Sequence, residues 1–345
     1  MISLFGKSLS VEFLKKKCKK IFKHHFATIP YFPGYENFHW PHELLNDSVV
    51  DVVLFGNALH LLTHPYLWPK FKSYRFWVVS KKHRELVIKI FELSESQVGY
   101  LPRYLFQKLP KKPRLMDLSK PLDFVISSRL SEDKNIEFSL HLVNYIQHIH
   151  NNKIRLTIFF PHGEINLLKE MIRKFSWKVE PVIKGDKGFN WQKEVAGQFP
   201  ILLNASTSYF EDFSVSTMQA QMKGWPVILS DWGVFKEIET SNSYKIRYDF
   251  IKNYYDTKSF IKREQIIKSV VQELISEPHH KVDIKIIIKD EIIVPRPVPF
   301  REFKQKQAKW SKKITADLIN IFSAKRDENH QSPLGRKIEK ILSRV

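Results

Sequence analysis

The side chains best suited to catalysis or ligand binding lie in a loop between an apolar run and a short helix. The run 199–203 reads as a buried strand, and Glu211 and Asp212 lie in the polar loop that follows it. A helix is predicted over 215–223, because Gly224 is a residue that commonly ends helices. The first turn of a helix presents unpaired N–H groups and a partial positive charge, so this loop could hold an anion beside a carboxylate.

Two cations stand at the end of another apolar run, residues 122–126. Arg129 and Lys134 follow that run within one short loop. An arginine can make paired hydrogen bonds to a phosphate, and a lysine supplies a point charge. Because ligands of parallel α/β sheets bind at the carboxyl ends of the strands, we expect both loops to line one site that stabilises an anion without a metal. The alternative is an exposed loop with ordinary helix-start charges.

The elements that must position these loops alternate in the way expected of a parallel α/β sheet. Residues 225–229 read as the strand after the short helix, and they lead into a further loop at Gly233. The second half of the chain also predicts strands over 155–160 and 177–183, and helices over 136–149, 167–175 and 250–277. The first half predicts only three parallel strands, 49–55, 75–79 and 97–101, and helices are predicted near the chain end over 302–324 and 333–342.

The order of residues in the two loops resembles the donor-sugar site of family 4 of the retaining glycosyltransferases, which have the GT-B fold. The family pattern is a Glu, an aromatic residue, a helix start, a second Glu followed by Ala, a Gly-x-Pro-Val segment and a glycine loop. Its positions here are Glu211, Phe213, 214–216, Gln219-Ala220, 224–227 and Gly233. The earlier loop is similar to the family's Gly-Arg-Leu and Lys-Asn pattern, here 128–130 and 134–135. The departures are Gln219 in place of the second Glu and Ser128 in place of the Gly.

The resemblance implies an α/β chain of GT-B type, with two Rossmann-like domains facing a cleft and a reduced N-terminal one. It implies that Glu211 hydrogen-bonds the transferred sugar and that Arg129 and Lys134 neutralise the donor diphosphate. The donor-binding residues it implies are Ser128, Asp212, Phe213, Ser214, Val215, Ser216, Gln219 and Gly233. The amides of 214–216 would meet the phosphates, and Gln219 would face the ribose. The alternative is that Ser216 and Gln219 form only an S-x-x-Q capping box.

The activity implied by the resemblance is retaining, metal-independent transfer of a sugar from a nucleotide-diphosphate sugar to a saccharide or lipid-linked acceptor. Such an acceptor would be of the cell-envelope polysaccharide or lipopolysaccharide type, and no cofactor is implied. The chain has no Asp-x-Asp motif for a divalent cation and no Walker or G-x-G-x-x-G loop. The doublets His24-His25 and His279-His280 lack zinc-site spacing, so we predict surface positions for them.

The first half of the chain offers a second, weaker set of candidates. The run 49–55 ends in a segment whose Gly56, Asn57, His60 and His64 are candidates for contacting the donor or acceptor. A packed or capping histidine is an equally good interpretation of these residues. Many relatives place a Gly-Gly loop after their first strand, and this chain lacks it.

The predicted domains follow from these elements and from composition. Residues 1–107 form an N-terminal acceptor-side domain, the Pro- and Lys-rich stretch 108–121 is a linker, 122–294 bind the nucleotide sugar, and 295–345 are helices that return to the N-terminal domain. The chain has 345 residues, 43% of them hydrophobic, which is enough for two cores. Its one cysteine, Cys18, excludes an internal disulfide and favours a reducing cytosol.

The net charge of +20 favours an anionic partner. Residues 8–26 predict a lysine-rich amphipathic helix, which suits the anionic inner face of a membrane or, equally, the surface of the N-terminal domain. No apolar run approaches the ~20 residues needed to cross a bilayer, and the N-terminus lacks a signal-peptide pattern, so we expect a cytoplasmic protein. Two other functions remain open: a binding or scaffold protein of the same fold, and a basic nucleic-acid-binding protein, although the lysines form no stripe with aromatics.

Overall fold

The computed structural model divides the chain into two compact units. The first comprises Met1–Phe106, Tyr209–Phe213 and Asp290–Val345, and the second comprises Gln107–Ser208 and Ser214–Lys289. The structure describes residues 25–29, 49–54, 72–102, 105, 113–117, 120–150, 153–160, 165–185, 188–195, 199–209, 211, 214–276, 292–309 and 333–342. The predicted linker, 108–121, begins where the chain first passes from one unit to the other.

The strands and helices carry these bounds in chain order. The strands are β1 His25–Ile29, β2 Val49–Leu54, β3 Ser73–Val78, β4 Val98–Tyr100, β5 Leu122–Ser127, β6 Ile154–Phe159, β7 Val182–Lys184, β8 Pro200–Asn204, β9 Val227–Ser230, β10 Ser243–Ile246 and β11 Val298–Pro299. The helices are α1 Lys81–Phe91, α2 Ile136–Ile149, α3 Ile165–Arg173, α4 Val215–Met222, α5 Tyr248–Asp256, α6 Phe260–Ser276, α7 over 300–309 and α8 Pro333–Leu342.

The first unit is built on a five-stranded sheet in which β1, β2, β3 and β4 are parallel and β11 joins β3 antiparallel. The sequence predicted three parallel strands and missed β1. Residues 25 and 26 lie in that strand, so the predicted helix over 8–26 is wrong at its end, and residues 8–24 lie outside the described part. His25 is likewise a strand residue. Five residues next to a lysine-rich segment are too short to show a strand period.

A buried ion pair lies on one face of this sheet. Arg75 Nη2 donates to Asp51 Oδ2 at 2.5 Å, and Trp77 Nε1 donates to Asp51 Oδ1 at 2.7 Å. Asp51 and Arg75 are paired in register across β2 and β3, and both are buried. A one-residue slip would move these charges to the other face, so the pair favours this register.

The other face of β3 carries an aromatic core. Tyr74 and Phe76 stack with ring centroids 5.9 Å apart, and Phe303 of α7 packs edge-on against Tyr74 at 5.4 Å. Phe303 also lies 5.2 Å from Phe76. Aromatic contacts of this kind contribute beyond their buried area, so α7 is fixed on the sheet by the side chains that β3 presents.

The second unit is a six-stranded sheet in the order β10-β9-β8-β5-β6-β7, and every neighbouring pair is parallel. Successive residues of the central strands alternate between two cores. Phe124 and Leu203 pack with α2, α5 and α6, while Val125 and Leu202 pack with Ala220 of α4. Because both faces of β5, β8 and β9 are covered, these strands are mostly apolar, and the sequence located all three.

The structure confirms the predicted α/β class, with parallel strands in the sheet of each unit. The bounds of α2 and α8 agree with the prediction, and α4 ends one residue earlier than predicted. Two predicted elements of the second unit were wrong. The strand expected over 177–183 is only β7, since the amides of Lys178 and Val179 donate to Gln147 Oε1 at 3.2 and 3.4 Å instead of to a neighbouring strand. The helix expected over 250–277 is α5 and α6, separated at Thr257, whose backbone is extended.

Candidate functional site

The predicted anion-binding loops lie at the point where the order of strands in the second sheet reverses direction. From β5 the chain proceeds to β6 and β7 on one side, and from β8 it proceeds to β9 and β10 on the other. The loops after β5 and β8 therefore leave adjacent strands at the same edge. In open parallel sheets this is where the crevice for a ligand forms, because loops leave in opposite directions.

Hydrogen bonds join these two loops directly. Asn135 Nδ2 donates to the carbonyl oxygen of Ala205 at 2.6 Å and to Thr207 Oγ1 at 3.0 Å, and the amide of Thr207 donates to the carbonyl oxygen of Asp133 at 2.8 Å. Asn135 has a left-handed backbone with φ of 54°, a conformation that Asn tolerates better than most residues, and it begins α2. Asn135 belongs to the Lys-Asn pattern at 134–135, but no role was predicted for it, although an Asn before an apolar helix is a recognisable signal.

The predicted cations lie in this joined region. Lys134 Nζ donates to Ser206 Oγ at 3.1 Å, so the lysine is held beside the loop after β8. Arg129 is exposed, and Ser128 is half-buried with its amide donating to the carbonyl oxygen of Phe159 at 3.4 Å. Lys134 thus lies against the loop that the sequence predicted it would face, and Arg129 projects from the same loop as Lys134.

A carboxylate that the sequence analysis did not select lies among these cations. Burial on its own would raise the pKa of Asp133, but the charge of Lys134 and hydrogen bonds from the hydroxyls of Ser131 and Ser208 outweigh it. Arg129 adds a smaller effect in the same direction, so the pKa lies below its ordinary value. Asp133 is therefore ionised at neutral pH, and a bound anion would meet the cations together with this fixed negative charge.

The start of α4 has the form expected of an anion site. Ser214 is its N-cap with φ of 49°, and its side chain makes no capping hydrogen bond to the helix backbone. Instead its hydroxyl accepts from Asn204 Nδ2 at 3.2 Å and lies 2.8 Å from Thr217 Oγ1. The first amides of α4, including those of Val215 and Ser216, are therefore left uncapped by this serine, which suits a phosphate oxygen.

The alternative interpretation of Ser216 and Gln219 as a capping box is wrong. The helix begins at Val215 with Ser214 as its N-cap, so Ser216 lies half-buried inside the first turn and is not the cap. Gln219 Oε1 instead accepts a hydrogen bond from Trp191 Nε1 at 2.7 Å. Trp191 is buried and packs edge-on against Trp225 with centroids 5.8 Å apart, so the indole fixes the orientation of the Gln219 amide. Nothing in the local sequence pointed to this contact.

Gly233 follows β9 in the next loop of the same edge. Its φ is 52°, a left-handed conformation that glycine adopts without strain, and it is buried. Trp232 Nε1 donates to the carbonyl oxygen of Ser208 at 3.1 Å, and the Ser230 hydroxyl donates to the carbonyl oxygen of Ser206. The loops after β8 and β9 are therefore connected, which places Gly233 beside the joined region.

Glu211 belongs to the first unit, in the segment Tyr209–Phe213. Burial lowers the pKa of His83 of α1, while the Tyr209 backbone and the charge of Glu211 act in the opposite direction. The other predicted site residues within the described part of the chain, Ser128, Arg129, Lys134, Ser214, Val215, Ser216, Gln219 and Gly233, lie in the second unit. The convergence of Glu211 with Arg129 and Lys134 stays a prediction.

Several predicted site residues lie outside the described residues. They are Gly56, Asn57, His60, His64, Asp212 and Phe213, and with them His24, the pair His279-His280 and the basic segment 8–24. Among the residues that the structure does describe, no group of His, Cys, Asp and Glu has the arrangement of a metal site. No helix in that part of the chain is long and apolar enough to cross a membrane.

Comparison with known proteins gives low-similarity structural neighbours. No family model matches the chain, and no curated protein matches it. Among solved structures it is similar to the pneumococcal O-GlcNAc transferase GtfA in complex with UDP and GlcNAc, at 20% identity over 70% of this chain and 53% of that one, with a TM-score of 0.40. It is also similar to TarM at 15% identity, over 80% of this chain and 50% of that one, with a TM-score of 0.44.

A third neighbour is WaaG, described as a glycosyltransferase involved in lipopolysaccharide biosynthesis. The identity is 10% over 69% of this chain and 76% of that one, with a TM-score of 0.42. The chain spans about half the length of GtfA and TarM.

Proposed function

We propose that the chain is a glycosyltransferase that takes its sugar from a nucleotide-diphosphate sugar. The observation that carries the proposal is the junction of the loops after β5 and β8, where Lys134 is held against Ser206 at the reversal point of a parallel sheet. The uncapped start of α4 leaves the same edge. Cations and helix amides at one edge suit a diphosphate, whose charge grows when it departs from the sugar.

The reaction mechanism that we propose follows the resemblance to glycosyltransferase family 4 of the GT-B class. The bond between the anomeric carbon and the phosphate oxygen breaks, and a hydroxyl of the acceptor bonds to the same face of that carbon. The departing phosphate takes the hydroxyl proton, so retention needs no protein base. Arg129 and Lys134 stabilise the leaving diphosphate, Glu211 hydrogen-bonds the sugar, and no metal takes part.

The acceptor we propose is a saccharide or a lipid-linked saccharide of the cell envelope. The basic segment 8–24 would hold the enzyme on the anionic inner face of the membrane, where such an acceptor is presented. Liposome flotation tests this part: retention on acidic but not on neutral vesicles supports it, and equal recovery on both contradicts it.

The proposal is tested by removing one of the cations. We expect Arg129→Ala to lower turnover of the nucleotide sugar by about 100-fold or more, since a charge that acts on the leaving group contributes mainly in the transition state. Arg247→Ala is the matched control, because Arg247 is an exposed arginine of the same unit that pairs with Asp249 instead. Turnover of UDP-glucose, UDP-galactose, UDP-GlcNAc and GDP-mannose is measured for each variant.

A binding protein of the same fold is the second candidate, and the Trp191–Gln219 contact is the observation that favours it. The family's second Glu carries a charge, whereas Gln219 is neutral and its oxygen accepts from Trp191. Calorimetry with UDP and GDP, combined with the turnover measurement, separates the two candidates. Nucleotide binding without turnover of any donor would favour the binding protein, and equal turnover in Arg129→Ala and Arg247→Ala would contradict the proposed mechanism.

A further inference from the structure

The last residue of β8, Asn204, uses both ends of its side-chain amide. Its Oδ1 accepts from the backbone amide of Ser206 at 3.2 Å. Its Nδ2 donates to Ser214 Oγ at 3.2 Å, and Thr217 Oγ1 lies 3.5 Å from the same nitrogen. A backbone amide can only donate, so the Asn204 oxygen faces Ser206 and the NH2 group is left for the hydroxyls. The side chain is therefore held in one orientation between the loop after β8 and the start of α4.

The contact on the oxygen side leads to the cation Lys134. The Ser206 hydroxyl accepts from Lys134 Nζ at 3.1 Å and from the backbone amide of Ser208 at 3.3 Å. Ser206 is fully buried, and its carbonyl oxygen accepts from the hydroxyl of Ser230. The backbone that carries the acceptor of Lys134 is thus held by Asn204 from one side and by the loop after β9 from the other.

The contact on the nitrogen side leads to the helix amides. Ser214 is the N-cap of α4 and is buried, with a left-handed φ of 49°. This conformation costs free energy for a residue other than glycine, so neighbouring contacts must hold it. The Ser214 hydroxyl is held by Asn204 Nδ2 and lies 2.8 Å from Thr217 Oγ1. Asn204 therefore helps to fix where α4 begins and where its first amides lie.

We propose that Asn204 is a positioning residue, which holds the Lys134 ammonium and the start of α4 in a fixed relation to each other. What these two groups bind rests on the proposed glycosyltransferase function, where they are the cation and the helix amides of the diphosphate site. The positioning itself concerns only contacts within the second unit. Groups fixed in advance stabilise a developing charge without having to reorganise, so losing Asn204 should weaken the site although Lys134 itself is unchanged.

Four substitutions separate the two contacts of Asn204. Asn204→Leu and Asn204→Ala both remove the amide, the first keeping its volume and the second leaving space, so the test does not depend on one variant folding. Ser206→Ala removes the hydroxyl to which Lys134 donates and keeps the backbone amide that Asn204 holds. Ser214→Ala removes the contact on the side of α4 alone.

The matched control is Asn242→Leu. Asn242 is a buried asparagine of the same unit, and both ends of its side chain are also engaged: Nδ2 donates to the carbonyl oxygen of Trp225 at 2.7 Å, and Oδ1 accepts from Thr240 Oγ1 at 2.8 Å. It precedes β10, whereas Asn204 ends β8, so the two lie at opposite edges of the parallel sheet. A general loss of polar contacts would affect both variants alike.

The first readout is the rate at which acetic anhydride acetylates Lys134, followed by mass spectrometry, which needs neither ligand nor activity. Lys134 is half-buried, and its contact with Ser206 should slow the reaction. We expect acetylation about 5-fold faster or more in both Asn204 variants and in Ser206→Ala, and an unchanged rate in Ser214→Ala and Asn242→Leu. An unchanged rate in both Asn204 variants overturns the proposal, and so does an equal rise in Asn242→Leu.

The second readout is calorimetry with inorganic diphosphate and with UDP. We expect a Kd about 10-fold higher in the Asn204 variants, about 3-fold higher in Ser206→Ala and in Ser214→Ala, and unchanged in Asn242→Leu. Lys134→Met should weaken binding in the wild type but much less in Asn204→Leu, because the lysine has already lost its position there. Equal losses from Lys134→Met in the two backgrounds would overturn the proposal.

Turnover separates this proposal from the proposed function. We expect Asn204→Leu to lower kcat for UDP-sugar or GDP-mannose turnover by about 10-fold or more, whereas an asparagine that serves only stability would lower the melting temperature and leave kcat unchanged. If the wild type binds UDP but turns over no donor, the proposed function fails and the binding comparison still decides the role of Asn204. If the wild type binds neither UDP, GDP nor inorganic diphosphate, the assignment of Asn204 to a diphosphate site is overturned.

Discussion

We expect the buried His83 to make the stability of the protein depend on pH between about 4 and about 6.5. Its folded-state pKa of about 4 lies below the ordinary value of 6.5, because burial disfavours the charged ring. Between these two pKa values the imidazole is therefore protonated in the unfolded chain and neutral in the folded chain. The stability contributed by the neutral ring is complete above about pH 6.5 and is lost as the pH falls from there toward 4.

The size of this effect follows from the two pKa values, 6.5 and about 4. Linkage gives a loss of about 2 kcal/mol by about pH 5 and a limit of about 3 kcal/mol below pH 4. Glu211 is the charge that acts on His83 in the folded state, and its opposing effect is already included in the lowered value.

The measurement is urea unfolding of wild type and His83→Gln at several pH values between about 7.5 and about 4.5. Glutamine does not titrate, so the difference between the two free energies of unfolding isolates the imidazole. We expect that difference to shift by about 2 kcal/mol in favour of the variant between about pH 7.5 and about pH 5. A difference that stays constant across this range would refute the reasoning, because it would mean that His83 titrates alike in both states.

Two further predictions concern contacts described above. Arg75→Met should lower the free energy of unfolding, measured in urea, by about 3–5 kcal/mol, because it leaves Asp51 buried without its cation. Adding Asp51→Asn should recover much of that loss. If it does not, the loss has no electrostatic origin. Trp191→Phe should weaken UDP binding about 5- to 10-fold in calorimetry, because Gln219 Oε1 loses its hydrogen-bond donor. The control Trp225→Phe keeps that hydrogen bond and should bind UDP as the wild type does. Equal effects of the two substitutions would mean that packing alone matters.

The second unit was predictable because its signals are local. Its central strands β5, β8 and β9 are buried and mostly apolar, and the cations of the loop after β5 follow such a run directly. The contact between that loop and the loop after β8 was predicted only in part. Lys134 was selected, but its contact with Ser206 is non-local, and the charges that keep Asp133 ionised become clear only when the loops are folded together.

The elements and contacts that were not predicted from the sequence have physical reasons of two kinds. Some strands are too short to carry a period: β11 has two residues and pairs with β3 through a contact distant in sequence. In other places a side chain overrode the local pattern. Gln147 takes the amides that would have extended β7, and Trp191 takes the Gln219 oxygen that a capping box would have used. His83 could not be selected, because its burial becomes clear only when the chain is folded.

The pairing of the first sheet with α7 has a consequence for how the chain is made. The aromatic face of β3 stays uncovered until Phe303 emerges from the ribosome, by which time Gln107–Ser208 and Ser214–Lys289 have been synthesised. The unit that begins first is therefore completed last, and a nascent chain carries an exposed Tyr74 and Phe76 through most of its translation. Such a chain should depend on chaperones that shield aromatic surfaces, and pauses in translation before residue 303 should promote its aggregation.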